Sequence, residues 1–387
     1  MPADRANRHA LAALLSGCVL AATAGAAPLE SPARGSVATT CDNADAAVLM
    51  KHVDGSRWEV VASLSGGGSE LVGRIADVPR LEPADRFVVM TRESRTGLWE
   101  PPRPVSPRAA TYLRGRATAT AAQRIAYAAR YVADGDETIR DVCCADLAAA
   151  DFREVARHAD RLPRARLEQQ LRDGEVGPGD RRIHGILLGL CGTAETAGLC
   201  AAIASRPLEH CEIGVGDEGL WIAVALADPV TSPDRLAAAV GPGEQCQTRI
   251  RAVLDAVDWI ADTCPERVGR DELVRVVVAA AMHPEGRDLA AAQLSEWRAW
   301  DAAERVVAIY GRDRGPGVDP DGDRERAGRI AMLRYLRRAL DEPRGLDPSA
   351  HKRVASAVRR IERAEPDIAR RATILSGRRT ASPRDVF

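Results

Sequence analysis

The sequence is poor in large aromatic side chains and carries no excess of charge of either sign. Aromatic residues make up only 4% of the 387 residues, whereas 45% are hydrophobic, and many of these are alanine. Small apolar side chains favour close packing of helix against helix over a core built on large aromatic rings. With 54 basic and 55 acidic residues, the chain has no overall field that would attract nucleic acid or an anionic membrane.

The signatures of common enzyme classes are also absent from the sequence. It contains no Gly-x-Ser-x-Gly elbow, no His-Glu-x-x-His motif, no Walker loop and no Rossmann glycine fingerprint. No Cys-x-x-Cys pair occurs, so a structural zinc site is not expected. His184 and His210 lack a second ligand four residues on, and we interpret both as structural histidines with hydrogen-bonded rings. We therefore assign no catalytic, cofactor-binding or metal-ligating residue.

Long hydrophobic runs are missing, and a short one lies at the N-terminus. Arg5 and Arg8 precede an apolar run from Ala10 to Ala22, which Ala24-Gly25-Ala26 follows. A basic start, a short apolar core and a small-x-small site are typical of a signal peptide, which we predict for residues 1–26. No later segment approaches 18 continuous apolar residues, so a transmembrane span is not expected. The pattern predicts an exported protein, either periplasmic or extracellular.

The same N-terminal segment fits a second processing route. Leu15-Ser16-Gly17-Cys18 matches the lipobox of bacterial lipoproteins, in which the cysteine is acylated. An acylated Cys18 would anchor the protein to a membrane. Because the apolar run continues past Cys18 to Ala22, we favour ordinary cleavage and keep the lipid anchor as the alternative.

Cysteines are informative because an exported chain folds where disulfides persist. Eight of them follow the signal segment: Cys41, Cys143, Cys144, Cys191, Cys200, Cys211, Cys246 and Cys264. An even number permits disulfides, and we predict at least one, although the sequence does not determine which cysteines pair.

Alternating apolar and polar residues occupy the region between Asp45 and Val89, the pattern of short strands separated by turns. The strand-like segments are Trp58–Val61, Glu70–Ile75 and Arg86–Met90. We predict a small antiparallel β module over residues 41–100, preceded by a linker over residues 27–40. A proline cluster excludes a continuous helix between Glu100 and Pro107, so we place a boundary there and predict two separately folding units.

Helical patterns dominate beyond this boundary. Ser106-Pro107, Ser232-Pro233 and Asp347-Pro348 each place a capping residue before a proline at the first helical position. Ile125, Ala128, Ala129 and Val132 fall on one face of an amphipathic helix. We predict a helical domain over residues 106–376 and a disordered tail over residues 377–387.

The helical segments recur along the chain. Apolar helical runs begin near Leu187, Gly219, Ile250, Leu289 and Arg329, at intervals of 32, 31, 39 and 40 residues, and Trp221, Trp259 and Trp297 are spaced by 38. These intervals straddle the length of two-helix repeats. We therefore predict a mainly α fold, an irregular HEAT-like α-solenoid of antiparallel helix hairpins preceded by the small antiparallel β module. A single compact helical bundle is the alternative.

A set of packing and turn motifs runs through the chain. They are Ala44–Leu49 with Val53–Gly55, Leu187–Gly192, and Glu296–Trp300 leading into Arg305–Tyr310. Together they resemble an exported bacterial family with a β N-terminal module and HEAT-like repeats. The resemblance spans residues 41–336 and implies this architecture, but no catalytic residue. The family's Cys-Pro-x-Cys opening is replaced here by Cys41-Asp42-Asn43, and the insertion 312–328 and the arginine-rich C-terminus also depart from its pattern.

Three aspartates alternate in the manner of a calcium-binding loop. Asp319, Asp321 and Asp323 offer the oxygen ligands that calcium requires. An EF-hand also needs glycine at its sixth position and glutamate at its twelfth, and Arg324 and Ile330 stand there instead. We interpret the segment as a solvated loop between helices and leave calcium binding open.

The C-terminal segment is locally basic. Its arginines are Arg353, Arg359, Arg360, Arg363, Arg370, Arg371, Arg378 and Arg379, and an apolar stripe is formed by Val354, Ala357, Val358 and Ile361. We interpret this segment as a capping helix with a polar outer face, and a polyanion-binding tail is the alternative.

Two classes of function remain. A helical-repeat surface without a catalytic constellation favours a non-enzymatic, exported binding or scaffolding protein, whose partner is another protein or a peptide. The alternative is a hydrolase whose acid and base carboxylates come together only in the folded chain, because carboxylate catalysis leaves little local signature. Neither nucleic acid nor a cofactor is expected as a partner.

Overall fold

A computed structural model describes residues 36–77, 86–206, 216–241, 247–312, 323–342 and 345–376. Within these ranges the chain is mainly helical, with seventeen α-helices and a small five-stranded antiparallel sheet near the N-terminus. The predicted order, a small β module followed by helices, is confirmed. The segments 1–26 and 377–387, predicted as a signal peptide and a tail, lie outside the described residues.

The sheet places its first strand at the centre. Its strands are β1 (Ala46–Asp54), β2 (Arg57–Gly66), β3 (Ile75–Asp77), β4 (Phe87–Arg92) and β5 (Arg103–Val105), in the order β3-β2-β1-β4-β5. Met50 of β1 pairs with Val60 on one side and Val88 on the other. Because successive side chains of a strand point to opposite faces, these three residues pack together on one face, while Leu49 and Val89 belong to the other.

The predicted strand over Glu70–Ile75 is wrong for most of its length. The structure has a short 3-10 helix at Ser69–Leu71, and regular strand begins only at Ile75. Gly73 between them has a φ of 82°, in the left-handed region that glycine adopts without strain. The backbone therefore turns where the alternating pattern predicted an extended chain.

The segments on either side of the β module are more ordered than the sequence indicates. Within the proline-rich connector, β5 pairs with β4, and its Pro104 is tolerated because an edge strand has a free side that needs no N–H donor. A first helix, α1 (Val37–Asn43), begins inside the predicted linker. Ser36 caps it by accepting a hydrogen bond from the backbone nitrogen of Thr39.

One face of the sheet shares its core with helices. Leu49 and Val89 lie in the same buried cluster as Ala109 and Leu113, which belong to the helix that follows β5. The opposite face has a separate cluster around Trp58, which is 1% exposed. The sheet is therefore packed on the helical part through one face.

This shared core leads to an expected result for a truncated chain. The boundary between Glu100 and Pro107 stays a prediction, but a fragment beginning at Ser106 would expose the apolar residues that the sheet covers. We expect the fragment to unfold at a lower temperature than the whole chain, because that apolar surface would return to water. Thermal unfolding of both, followed by circular dichroism, checks this. Equal midpoints would show that the helices fold independently of the sheet.

The helices beyond the sheet follow one another with mostly short connections. They are α2 (Pro107–Thr118), α3 (Ala121–Tyr131), α4 (Glu137–Ala148), α5 (Phe152–Ala156), α6 (Arg164–Arg172), α7 (Pro178–Cys191), α8 (Ala194–Ala204), α9 (Asp217–Ala227), α10 (Ser232–Val240), α11 (Gln247–Thr263), α12 (Arg270–Ala281), α13 (Arg287–Glu296), α14 (Ala303–Arg312), α15 (Asp323–Asp341), α16 (Pro348–Ala364) and α17 (Pro366–Ser376).

The helix starts predicted from proline lie at or beside their expected positions. Ser106 caps α2 by accepting a hydrogen bond from the backbone nitrogen of Ala109 at 2.9 Å. Asp347 caps α16 in the same way, with the nitrogen of Ala350 at 3.0 Å. Helix α10 begins one residue earlier than predicted, at Ser232. Proline in the first turn loses no hydrogen bond, which is why these positions are readable from sequence.

Alternate helices of the chain lie side by side from α7 onwards. One row runs through α7, α9, α11, α13, α15 and α17, and a second through α10, α12, α14 and α16. The five apolar runs noted in the sequence all fall on helices of the first row, from Leu187 on α7 to Arg329 on α15. Successive helix pairs therefore bring equivalent helices into contact.

Helices α7 and α9 meet backbone to backbone at two glycines. A Cβ atom on Gly185 would lie 2.2 Å from the carbonyl of Gly219, and one on Gly219 would lie 2.4 Å from the Cα of Arg182. One turn further along α7, a Cβ on Gly189 would lie 3.0 Å from the Cα of Ala223. Protein atoms do not approach this closely in a packed interior, so the crossing requires glycine.

Candidate binding site in the helical region

Polar side chains bond between neighbouring helix pairs at a nearly constant sequence separation. The pairs are Arg181 with Asp217 at 2.6 Å, Arg287 with Glu325, Arg329 with Glu365 at 2.9 Å, and Trp297 with Asp258 at 3.0 Å. Their separations are 36, 38, 36 and 39 residues. The spacing is close to the interval of 38 residues between the sequence's tryptophans.

A cavity of about 270 Å³ lies where α14, α15 and α16 meet the start of α17. Its apolar wall consists of Val307, Ala357, Ile361 and Ala364. Ligand pockets for drug-sized molecules usually begin at about 300 Å³. This space, the C-terminal cavity, therefore suits a single side chain or a small head group.

The polar lining of the cavity is a bonded group of three side chains. The guanidinium of Arg329 stacks on the ring of Tyr310, 4.3 Å from its centroid. Glu365 accepts hydrogen bonds from Nε of Arg329 at 2.9 Å and from the hydroxyl of Tyr310 at 3.1 Å. A second guanidinium nitrogen of Arg329 also donates to Glu365. Burial raises the pKa of Tyr310, so its hydroxyl remains a donor.

This group is anchored in the protein interior by further charges. Glu325 on α15 lies 3.8 Å from Arg329 and pairs with the buried Arg287 of α13. Arg287 is 2% exposed and Glu325 is 6% exposed. Buried ion pairs hold side chains in one arrangement, because separating them would leave a charge unpaired in a poorly solvated place. The Arg329–Glu365 pair therefore presents a fixed surface to the cavity.

The rim of the cavity carries an uncommitted positive charge. Arg360 on α16 lines the opening, is exposed, and makes no hydrogen bond or ion pair within the described part of the chain. Gly311 on α14 also lines the cavity, and a Cβ placed there would meet no atom within 4 Å. Because the acceptors of Glu365 are already engaged, Arg360 is the group of the cavity that is available to a ligand.

A second cavity is lined by two carboxylates. It has a volume of about 260 Å³ and lies between α1 and the end of β4, with Glu93 and Glu100 in its wall. Glu100 accepts a hydrogen bond from Thr91 at 2.6 Å, and Glu93 accepts one from Thr96 at 2.7 Å. The hydrolase alternative requires two carboxylates that face a common space, and Glu93 and Glu100 both line this cavity.

The described cysteines are free thiols. Cys41, Cys143, Cys144, Cys200 and Cys264 are buried, and Cys191 is partly buried. Burial raises the pKa of Cys41, Cys143, Cys200 and Cys264 to about 12, which opposes formation of a reactive thiolate. Cys211 and Cys246 lie outside the described residues, so the predicted disulfide now depends on them.

His184 on α7 differs from its prediction in one respect. It is buried, with 1% exposure, but neither ring nitrogen has a hydrogen-bond partner among the described residues. Burial lowers the pKa of His184 from its ordinary value of 6.5. The negative charge of Asp180 partly opposes this effect, and Arg140 adds to it. His210 lies outside the described residues.

The lowered pKa predicts a loss of stability in mild acid. As the pH falls below about 6.5, His184 is protonated in the unfolded chain, whereas its buried ring in the folded chain stays neutral. The free energy of unfolding therefore decreases. We expect His184→Leu to reduce this decrease between about pH 7 and pH 5. Urea unfolding at several pH values measures it, with the exposed His351→Leu as control. An unchanged pH dependence in His184→Leu would contradict the assignment.

The three aspartates of the predicted calcium-like loop are only partly within the described residues. Asp319 and Asp321 lie outside them, and Asp323 is the first residue of α15. Among the residues that the structure describes, no group of three or more His, Cys, Asp or Glu side chains is placed to hold a metal ion. Arg378 and Arg379 of the predicted tail also lie outside the described residues.

Residues of the C-terminal cavity do not stand out as a group in the sequence. Arg360 is one of several C-terminal basic residues there, and Arg329 lies at the start of an apolar run. One signal was available, since Arg181 and Asp217, Arg287 and Glu325, and Arg329 and Glu365 recur at 36 to 38 residues. Such a charge pattern marks bonding between neighbouring helix pairs.

No known protein family, curated protein or solved structure matches this chain. None of the helices described combines the length and the hydropathy that a membrane span requires. The function is therefore inferred from the geometry of the chain.

Proposed function

We propose that the chain is an exported, non-enzymatic binding protein that holds another protein or a peptide on a helical-repeat surface. The helices would form an irregular HEAT-like solenoid, as in the exported family that the motifs resemble. Side-by-side packing of alternate helices and the bonds at 36 to 39 residues support this arrangement. In such an array each pair buries its apolar face against its neighbours and leaves an extended outer surface for a partner.

The observation that carries the proposal is the C-terminal cavity. It combines an apolar wall, a size suited to one side chain and the guanidinium of Arg360, which has no partner within the described ranges. Buried anchor side chains in such pockets supply most of the energy of protein–protein recognition. Its remaining charged groups are bonded to one another, which suits recognition rather than proton transfer.

Affinity capture from the exported fraction tests the proposal. The immobilised chain should retain a specific protein, which mass spectrometry identifies. An unrelated exported protein, immobilised in the same way, should not retain it. Chemical crosslinking should then place the contact on α14 or α16. If the chain retains no partner and hydrolyses a substrate, the binding proposal is wrong and the hydrolase alternative takes its place.

The hydrolase is the second candidate, and the cavity lined by Glu93 and Glu100 favours it. Paired carboxylates serve as acid and base in many hydrolases. A panel of glycoside, ester and peptide substrates tests it, with Glu93→Gln and Glu100→Gln as paired variants. Turnover that both substitutions abolish would establish this function.

A further inference from the structure

We propose that the C-terminal cavity recognises an acidic protein segment, with an Asp or Glu carboxylate on Arg360 and a neighbouring apolar side chain against the cavity wall. This inference rests on the proposed binding function and adds the chemistry of the partner. It follows from which charges of the cavity are already neutralised and from what lines the remaining space.

The charged groups of the cavity indicate the sign of the charge that its ligand carries. Arg329 and Glu365 neutralise each other through paired hydrogen bonds, and Tyr310 donates to the same carboxylate. A cationic ligand would find the acceptors of Glu365 already engaged. Arg360, in contrast, has no partner among the described residues and offers the donors of a whole guanidinium, which binds carboxylates in a two-point geometry.

The apolar wall of the cavity indicates that the ligand also has an apolar part. Val307, Ile361, Ala357 and Ala364 leave an apolar wall beside Arg360. A carboxylate alone would leave this wall in contact with water, whereas an adjacent aliphatic side chain would cover it. The cavity therefore fits a carboxylate and an apolar group presented together, as neighbouring side chains of a peptide present them.

The number of cationic groups at the cavity distinguishes a peptide ligand from a polyanion. Phosphate chains are held by several cationic groups that converge on one site. On α16, Arg359 and Arg363 are exposed, and Arg359, one residue from Arg360, points about 100° away from it. Neither of them lines the cavity, so one guanidinium faces it from this helix.

The charges of the C-terminal helices also favour a negatively charged partner. Described residues 323–342 and 345–376 contain thirteen basic and eight acidic side chains, although the whole chain has a net charge of −1. This excess of basic side chains in the C-terminal helices would attract an acidic segment.

Two acetylated and amidated peptides provide the probe, Ala-Leu-Glu-Ala and its matched amide Ala-Leu-Gln-Ala. Calorimetric titration at millimolar concentration measures their binding to the whole chain. Three variants are compared: Arg360→Gln removes the charge, Gly311→Leu fills the opening, and Arg359→Gln removes a neighbouring exposed charge outside the cavity. Circular dichroism confirms folding, and Ala364→Leu replaces Gly311→Leu if that variant does not fold.

The proposal expects the Glu peptide to bind roughly tenfold more tightly than the Gln peptide. Arg360→Gln should remove this difference, Gly311→Leu should weaken both peptides, and Arg359→Gln should leave both affinities unchanged. Equal binding of the two peptides, no binding of either, or an equal loss in Arg359→Gln would overturn it. So would tighter binding of inorganic phosphate or an oligonucleotide that depends on Arg359 and Arg360 alike.

The same variants separate this inference from the proposed function. If Arg360→Gln and Gly311→Leu still retain the partner captured from the exported fraction, the binding function stands and the cavity is not its acidic-segment site. If the unaltered chain captures no partner, the binding function itself fails.

Discussion

Gly219→Ala is expected to destabilise the protein by about 3 kcal/mol. The added methyl group would lie 2.4 Å from the backbone of Arg182 on α7. Backbone atoms cannot rotate away as a flexible side chain can, so α7 and α9 must separate along their contact. Separation would also open gaps around neighbouring buried residues such as Trp221 and Leu187. Urea unfolding followed by circular dichroism measures the loss.

A matched control is available on the adjacent helix. Gly198 lies within α8, and a Cβ atom added there would come no closer to a neighbouring side chain than 3.8 Å, from Nη1 of Arg235, an ordinary van der Waals distance. Gly198→Ala should therefore be neutral or should stabilise by about 0.5–1 kcal/mol, because alanine has the higher helix propensity. Gly185→Ala should behave like Gly219→Ala. Similar stabilities for all three variants would show that the crossing is looser than described.

Arg116→Leu is expected to destabilise the protein by about 3–5 kcal/mol. Arg116 on α2 is 4% exposed. It donates to both oxygens of Asp146 on α4, at 2.6 and 2.8 Å, and to both oxygens of Asp42 on α1, at 2.7 and 3.2 Å. Removing the guanidinium would leave Asp146, whose side chain is 9% exposed, as an unpaired charge in a poorly solvated place.

Two further variants isolate the cause of that loss. Arg114→Leu changes the same residue type on the exposed side of α2 and should alter stability by less than about 0.5 kcal/mol. Arg116→Leu combined with Asp146→Leu removes the buried charge as well, and part of the stability should return. Chemical denaturation of all three gives the comparison. A double variant less stable than Arg116→Leu would point to lost packing instead of an unpaired charge.

Local features were predictable where one or two neighbouring residues decide the backbone. Ser106 and Asp347 cap helices because a hydroxyl or carboxylate can accept from the first free backbone nitrogens. The face formed by Ile125, Ala128 and Ala129 is buried as its spacing predicted. The segment Glu70–Ile75 was not predictable in this way, because its alternation is interrupted by the left-handed turn at Gly73.

The candidate site was less predictable because its residues come from separate helices. Arg329 and Glu365 are 36 residues apart, and Gly311, Arg360 and Tyr310 come from two helices that the chain brings together. Single-sequence patterns report spacing along one helix, not the distance between two. For these residues, the recurrence of charges near 36 residues is the signal that relates one helix pair to the next.

By itself the sequence determined the classes of element and their order, a short β module followed by helices, because hydrophobic periodicity and capping act within a few residues. The tertiary structure decided how close these elements lie and which charges remain free. Gly185 and Gly219 allow α7 and α9 to touch. Glu365 neutralises Arg329, while Arg360 has no partner among the residues that the structure describes. Both outcomes depend on the packing of distant segments, since contact and charge pairing are set by distances in space that no local pattern encodes.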